Sequence, residues 1–213
     1  MKKLTERMAN LSAVDDHWQT TCPSIKDRTK FLYNKELLSD VKFVVPSNIG
    51  REFKSEIPAH KFVLAISSPV FFAMFYGDMA ETANSIELSD CEHSSLLEML
   101  RYLYSDEIHL NGHNVMQLSY LAKKYMVPSL DDKCTEFLRD NLRTCNVLCI
   151  IPFAQKFEDG ELENRCWKVI ETETKKAIES SEFFDLERPL VESIVKRDGL
   201  NIKEVLLFQA VDG

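Results

Sequence analysis

The chain has 213 residues, 45% of them hydrophobic and 28% charged, enough for one or two globular domains with a sizeable core. Its formal charge of -8 argues against the clustered Lys and Arg that neutralising phosphates requires, so nucleic acid is not an expected partner. No apolar run approaches the roughly 20 residues of a membrane span, and the start MKKLTERMANLSAVDDHW lacks the apolar centre of a signal peptide, so no membrane partner and an intracellular setting are expected.

Residues 1–27 are polar and weakly periodic, with Trp18 and Pro23 as anchors, and read as a flexible arm. From Arg28 to Leu38, Phe31, Leu32, Leu37 and Leu38 fall on one helical face that needs something to cover it. A strand is expected over Asp40–Val45. Asn48-Ile49-Gly50 then turns the chain into a second strand, Arg51–Ile57, with Phe53 and Ile57 inward and Glu52, Lys54 and Glu56 outward.

The densest apolar stretch runs from Pro58 to Glu81. Phe62, Val63, Leu64 and Ile66 occupy one short helix. Ser68 suits the cap of the next, Pro69 its first turn, and Gly77 a left-handed stop. Between those caps Val70, Phe71, Phe72, Ala73, Met74, Phe75 and Tyr76 make the helix apolar on every side, so most of it is expected in a core. Any apolar edge left over would be a partner site.

Ile86 and Leu88 mark a short strand, and Ser89 with Glu92 has the form of a capping box. The helix that follows shows a stripe of Leu96, Met99, Leu100, Leu103 and Tyr104, and Glu107–Leu110 reads as another strand. Asn114 is placed to cap a helix with Val115, Leu118, Leu121, Ala122 and Tyr125 on one face, ending before Pro128. Leu130, Cys134, Phe137, Leu138 and Leu142 mark one more. Strands first, then helices with two short strands between them, imply an α+β arrangement. Beyond Arg143 the pattern is helical only: Thr144–Phe157, Glu161–Glu179, Pro189–Lys196 and Asn201–Val211, the last opened by an Asn201–Glu204 capping box. Pro152 falls inside the first of these, where it costs roughly 3 kcal/mol or bends the helix.

Catalytic chemistry has no constellation to rest on. The six cysteines contain no CxxC and are expected to be mostly buried free thiols. His109 and His113 are spaced for a helix but fall on an expected strand and turn, so no metal site is expected. There is no nucleophile signature and no glycine-rich phosphate loop, hence no expected cofactor or enzyme activity.

Several separated motifs agree in order and spacing with one family. Ser39-Asp40-Val41-Lys42-Phe43, Pro58-Ala59-His60-Lys61-Phe62-Val63-Leu64-Ala65, Ser68-Pro69-Val70-Phe71 and Ala73-Met74-Phe75 resemble the signature of a BTB (POZ) domain. The helical second half resembles the BACK region that follows it in many adaptors. Phe157-Glu158-Asp159-Gly160-Glu161-Leu162, with Arg165-Cys166-Trp167, looks like the subfamily whose members continue into a PHR domain, and so does His17-Trp18-Gln19. The resemblance implies a BTB domain over 28–142, a short mixed sheet packed with helices, and an all-α BACK region over 143–213 that stops part-way through a helix which family members extend.

It also implies function. Family members dimerise, which points to Phe31, Leu32 and Leu37, with Asp40 and Lys61 in a charged pocket near the two-fold axis. Met79-Ala80-Glu81 matches the hydrophobic-x-Glu motif that engages cullin-3, with Phe75 and Tyr125 as neighbours and core packing the main role of Phe75. The expected protein is a homodimeric cullin-3 ubiquitin-ligase adaptor, cytoplasmic with the nucleus as a second compartment, whose substrate protein is unknown. The competing expectation is a dimeric scaffold that recruits a transcriptional or developmental co-regulator.

Overall fold

The computed structural model describes residues 17–47, 50–197 and 199–201. Asn48 and Ile49 of the expected turn, the side chains of Glu52 and Phe53, residues 202–211 of the helix expected from Asn201 with Glu204 of its capping box, and the arm before His17 lie outside the described residues. The chain forms two compact units that divide between Asp131 and Asp132.

The first unit opens with α1 (Trp18–Thr21) and α2 (Ile25–Leu32). Ser24 and Asp27 form a reciprocal capping box at the start of α2, so the helix begins earlier than its apolar face suggests. It also ends at Leu32, well short of Leu38, which lies in a left-handed conformation at φ 63°. The end of the arm is not free: Trp18 is buried and stacks on Phe31 with centroids 4.9 Å apart.

Next come β1 (Val41–Ser47) and β2 (Gly50–Ala59), antiparallel to each other, then α3 (Lys61–Ser67), α4 (Pro69–Tyr76) and β3 (Ser85–Glu87). β3 joins β1 in parallel, giving a three-stranded mixed sheet in the order β2-β1-β3. Val41, Phe43 and Val45 alternate into the core from β1, and Ile57 joins them from β2.

Three helices complete this half: α5 (His93–Ser105), α6 (Val115–Lys124) and α7 (Pro128–Asp140), within which the two units divide. Leu96, Met99 and Leu100 of α5 and Leu118 and Leu121 of α6 fill the core as their spacing predicts. Three local expectations are corrected. Glu92 is the N-cap of α5 and makes no side-chain cap bond, so the Ser89 capping box does not form. Glu107–Leu110 is not a strand; Glu107 instead accepts from Lys30 at 2.7 Å. Pro128 begins α7 rather than closing α6, because the first position of a helix needs no amide donor.

The second unit is helical: α8 (Val147–Lys156), α9 (Gly160–Thr172), α10 (Thr174–Ile178), α11 (Ser181–Phe184) and α12 (Arg188–Val195). Asp159 caps α9 by accepting from the Leu162 amide at 3.0 Å. The long helix expected here is broken at Glu173, the C-cap of α9, and Thr174 opens α10 with its hydroxyl donating to the Ile170 carbonyl at 2.8 Å. Ile151, Cys166, Ile170 and Ile194 are among the residues of its interior. The chain as a whole is an α+β fold followed by an all-α segment.

Candidate protein-interaction surface

Ser68 sets the α3–α4 hairpin in place. Its side chain accepts from the Phe71 amide at 3.2 Å and donates to the Tyr125 carbonyl at 2.5 Å, so one hydroxyl both caps α4 and ties it to the end of α6. Gly77 ends α4 in an extended conformation, φ −76°, not the left-handed one expected. Glycine is required there for space, since a Cβ would lie 2.5 Å from the Ala73 carbonyl oxygen.

Inside, Phe71 stacks on Tyr125 at 4.3 Å and on Phe75 at 6.0 Å, and leans on Phe43 of β1 at 5.9 Å. Tyr125 is only 1% exposed and Phe75 is buried, so both support the surface from beneath and neither presents a face of its own. Burial pushes the Tyr125 phenol far up, and its hydroxyl is held as a neutral group.

The outside of the same hairpin is apolar and open. Phe72 and Tyr76 are exposed with their rings 6.0 Å apart, and Met79 just beyond is 95% exposed. A short turn fixes this loop: the Glu81 amide donates to the Met74 carbonyl at 2.8 Å and the Ala80 amide to the Gly77 carbonyl at 3.1 Å. Glu81 itself is exposed. The hairpin is therefore not a wholly buried core element; α4 buries Phe71 and Phe75 and leaves Phe72 and Tyr76 in water.

A second apolar face lies where α2, the Leu37–Leu38 segment and α3 are joined through Tyr104. Its carbonyl accepts from the Thr29 hydroxyl at 2.8 Å, and its hydroxyl accepts from the His60 amide at 2.9 Å. His60 Nε2 lies 2.8 Å from the Leu37 carbonyl, which can only accept, so Nε2 bears the proton and Nδ1 accepts from the Tyr104 hydroxyl at 2.7 Å. On this frame Phe62 and Ile66 are each 65% exposed, and Ile25 and Leu38 are exposed as well. Phe31, Leu32 and Leu37 are only half-buried around them.

The charged pocket takes a different form from the one expected. Asp40 is exposed, and its Oδ1 accepts from the backbone amide of Lys61 at 2.7 Å, satisfying an open donor in the first turn of α3. The Lys61 ammonium reaches Asn84 at 3.3 Å and lies 5.7 Å over the Phe75 ring. Asp40 thus positions Lys61 through its main chain, and the two charges do not pair.

Among the described residues no group of three or more His, Cys, Asp and Glu could hold a metal, and no helix is long and apolar enough to cross a membrane. The six cysteines are free; Cys91, Cys134 and Cys166 are buried, whereas Cys145 and Cys149 are exposed. Burial pushes the Cys91 thiol up to about 11 and the Cys166 thiol to about 12, which leaves both protonated and unreactive at neutral pH.

The BTB/POZ domain family matches residues 30–142. The chain belongs to the BTB/POZ family. The BACK family, BTB And C-terminal Kelch, matches residues 147–212. Similar proteins include BTB/POZ domain-containing protein 6 of Mus musculus, 41% identical over 195 residues, and of Homo sapiens, 42% identical over 195 residues. BTB/POZ domain-containing protein 3 of Homo sapiens is 40% identical over 194 residues. Each match covers 91–92% of this chain but only 36–37% of the relative, so the chain spans little more than a third of the length of these relatives. A BTB domain followed by BACK is the plan of a family of protein-interaction adaptors, not of enzymes.

The expected site residues thus fall into two groups. Met79 and Glu81 are on the surface beside Phe72 and Tyr76, the apolar edge of a helix expected mostly in the core. Phe31, Leu32 and Leu37 border the second face, to which α3 contributes the exposed Phe62 and Ile66 beside Ile25 and Leu38. The available signal was the i, i+4 spacing of 62 with 66 and of 72 with 76, which puts each pair on one helix face.

Proposed function

We propose that this chain is a homodimeric BTB–BACK adaptor that links a substrate protein to a cullin-3 ubiquitin ligase. The observation on which the proposal rests is the open edge of α4: an almost fully exposed Met79, two exposed aromatic rings behind it, and the Glu81 carboxylate two residues on, in a loop braced by the Met74 carbonyl. An exposed methionine and a carboxylate on a fixed backbone suit a partner groove that takes one apolar anchor and offers a hydrogen-bond donor beside it.

The face carrying Ile25, Leu38, Phe62 and Ile66 is the one proposed to close the dimer, with Phe31, Leu32 and Leu37 at its border and Asp40 and Lys61 alongside. A two-fold pairing buries the same patch on both copies and doubles the number of cullin sites, which raises avidity without new contacts. Capture of cullin-3 by an immobilised chain tests the reading. Met79→Asp should abolish capture and Glu81→Ala should weaken it, both with dimer mass unchanged; undiminished capture by both variants would refute the assignment.

A further inference from the structure

The second unit contains a groove of about 610 Å³ between the outer side of α8 and the segment that joins α11 to α12. Its floor is apolar: Leu148 and Pro152 from α8, and Leu186, Pro189 and Leu190 from across the groove. Pro152 contributes more than its ring. Lacking an N–H, it leaves the Leu148 carbonyl without the i+4 amide that an α-helix normally supplies, and both residues line the groove.

The rim is acidic. Glu182, Asp185 and Glu187 surround the floor against one lysine, Lys156. Among the described residues neither Asp185 nor Glu187 forms an ion pair. Cys149 sits on the same rim, and its thiol is pushed up by burial first and then by the charges of the same Glu182 and Asp185. That field disfavours an anionic ligand and keeps the thiol protonated, so covalent capture at Cys149 is not favoured either.

We propose that this groove binds a short basic-apolar segment of a partner protein. One aliphatic or aromatic side chain of the segment lies on the leucine–proline floor, and flanking Lys or Arg side chains meet Glu182, Asp185 and Glu187. The Leu148 carbonyl is the acceptor for an N–H of the docked chain. The site lies wholly within the second unit and is independent of the cullin-3 reading, which concerns Met79 and Glu81 in the first.

The test uses the whole 213-residue chain and three fluorescein-labelled probes: Arg-Arg-Leu-Phe-Arg-Arg, Glu-Glu-Leu-Phe-Glu-Glu and Arg-Arg-Gly-Ser-Arg-Arg. Fluorescence polarisation should show saturable binding of the first, with the other two weaker by about tenfold or more, and binding should weaken as salt rises. The double variant Asp185→Lys, Glu187→Lys, both exposed positions, should lose about tenfold in affinity for the first probe with an unchanged unfolding transition. Amide resonance shifts on binding should concentrate in residues 148–156 and 182–190. Equal binding of the acidic and basic probes, full affinity in the double variant, or shifts confined to other residues would overturn the proposal. So would self-association of the chain that the double variant abolishes, because the occupant would then be a second copy.

Discussion

Two adjacent phenylalanines in α4 should respond to alanine in opposite ways. Phe71 has no exposed surface and touches Tyr125, Phe75 and Phe43, so Phe71→Ala removes a ring from the centre of the first unit. A cavity of that kind costs about 3–5 kcal/mol. With a urea dependence of about 2 kcal/mol per molar, the unfolding midpoint of this unit should fall by about 2 M. Phe72 is more than half exposed, and Phe72→Ala should move the midpoint by no more than about 0.5 kcal/mol worth of denaturant while weakening the proposed cullin contact. Trp18 and Trp167 are the only two tryptophans, one in each unit, so a Trp167→Phe background makes Trp18 fluorescence a reporter of the first unit alone. Protein concentration is held fixed, because a dimer's midpoint depends on it. Equal shifts for the two variants, or a larger one for Phe72→Ala, would refute the inside-outside assignment of α4.

Other positions give sharper local tests. Gly77→Ala puts a methyl group against the Ala73 carbonyl and should cost about 1–3 kcal/mol, with faster amide exchange at Glu81; an unchanged melting temperature would contradict the close approach. Tyr104→Phe removes both the donor to His60 Nδ1 and the acceptor of the His60 amide, and a loss of about 1–3 kcal/mol in urea unfolding is expected. Asp90 is held below the ordinary carboxyl value of 3.8 by its bond from Lys124 first and from Tyr120 second. Its stabilisation is therefore present above that value and lost as pH falls through the lowered one. The group is largely exposed and screened, so Asp90→Asn should cost about 0.5–1 kcal/mol at neutral pH and progressively less as the pH is taken below 3.8, as measured by urea midpoints across that range.

Much of the first unit was legible because its local signals agree with its packing. The Ser68 cap, the proline at the first position of α4, the alternation of β1 and the stripe of α5 each appear where the pattern puts them. Side assignment within α4 was not legible. Phe71 with Phe75 and Phe72 with Tyr76 are both aromatic i, i+4 pairs, and which pair turns inward is decided by Tyr125 and Phe43, both distant in sequence. The same long-range dependence explains Asp40. Its neighbours mark it as a residue of the expected dimer face, but its partner is a backbone amide, which no side-chain pattern announces. Helix ends went wrong where two signals competed: Pro128 can stop a helix or start one, and the Ser24–Asp27 box was hidden in a segment with little hydrophobic periodicity. The groove in the second unit was announced only by Pro152, an interior proline that reads as a cost until the residues opposite it are seen.

The most direct measurement is sedimentation velocity of the chain mixed with the N-terminal domain of cullin-3, for the parent and for Met79→Asp. The account predicts a chain that sediments as a dimer, about twice 24.6 kDa, and takes up two cullin domains, while the variant remains a dimer and takes up none. A monomeric chain, or a variant that binds cullin-3 as the parent does, would contradict it.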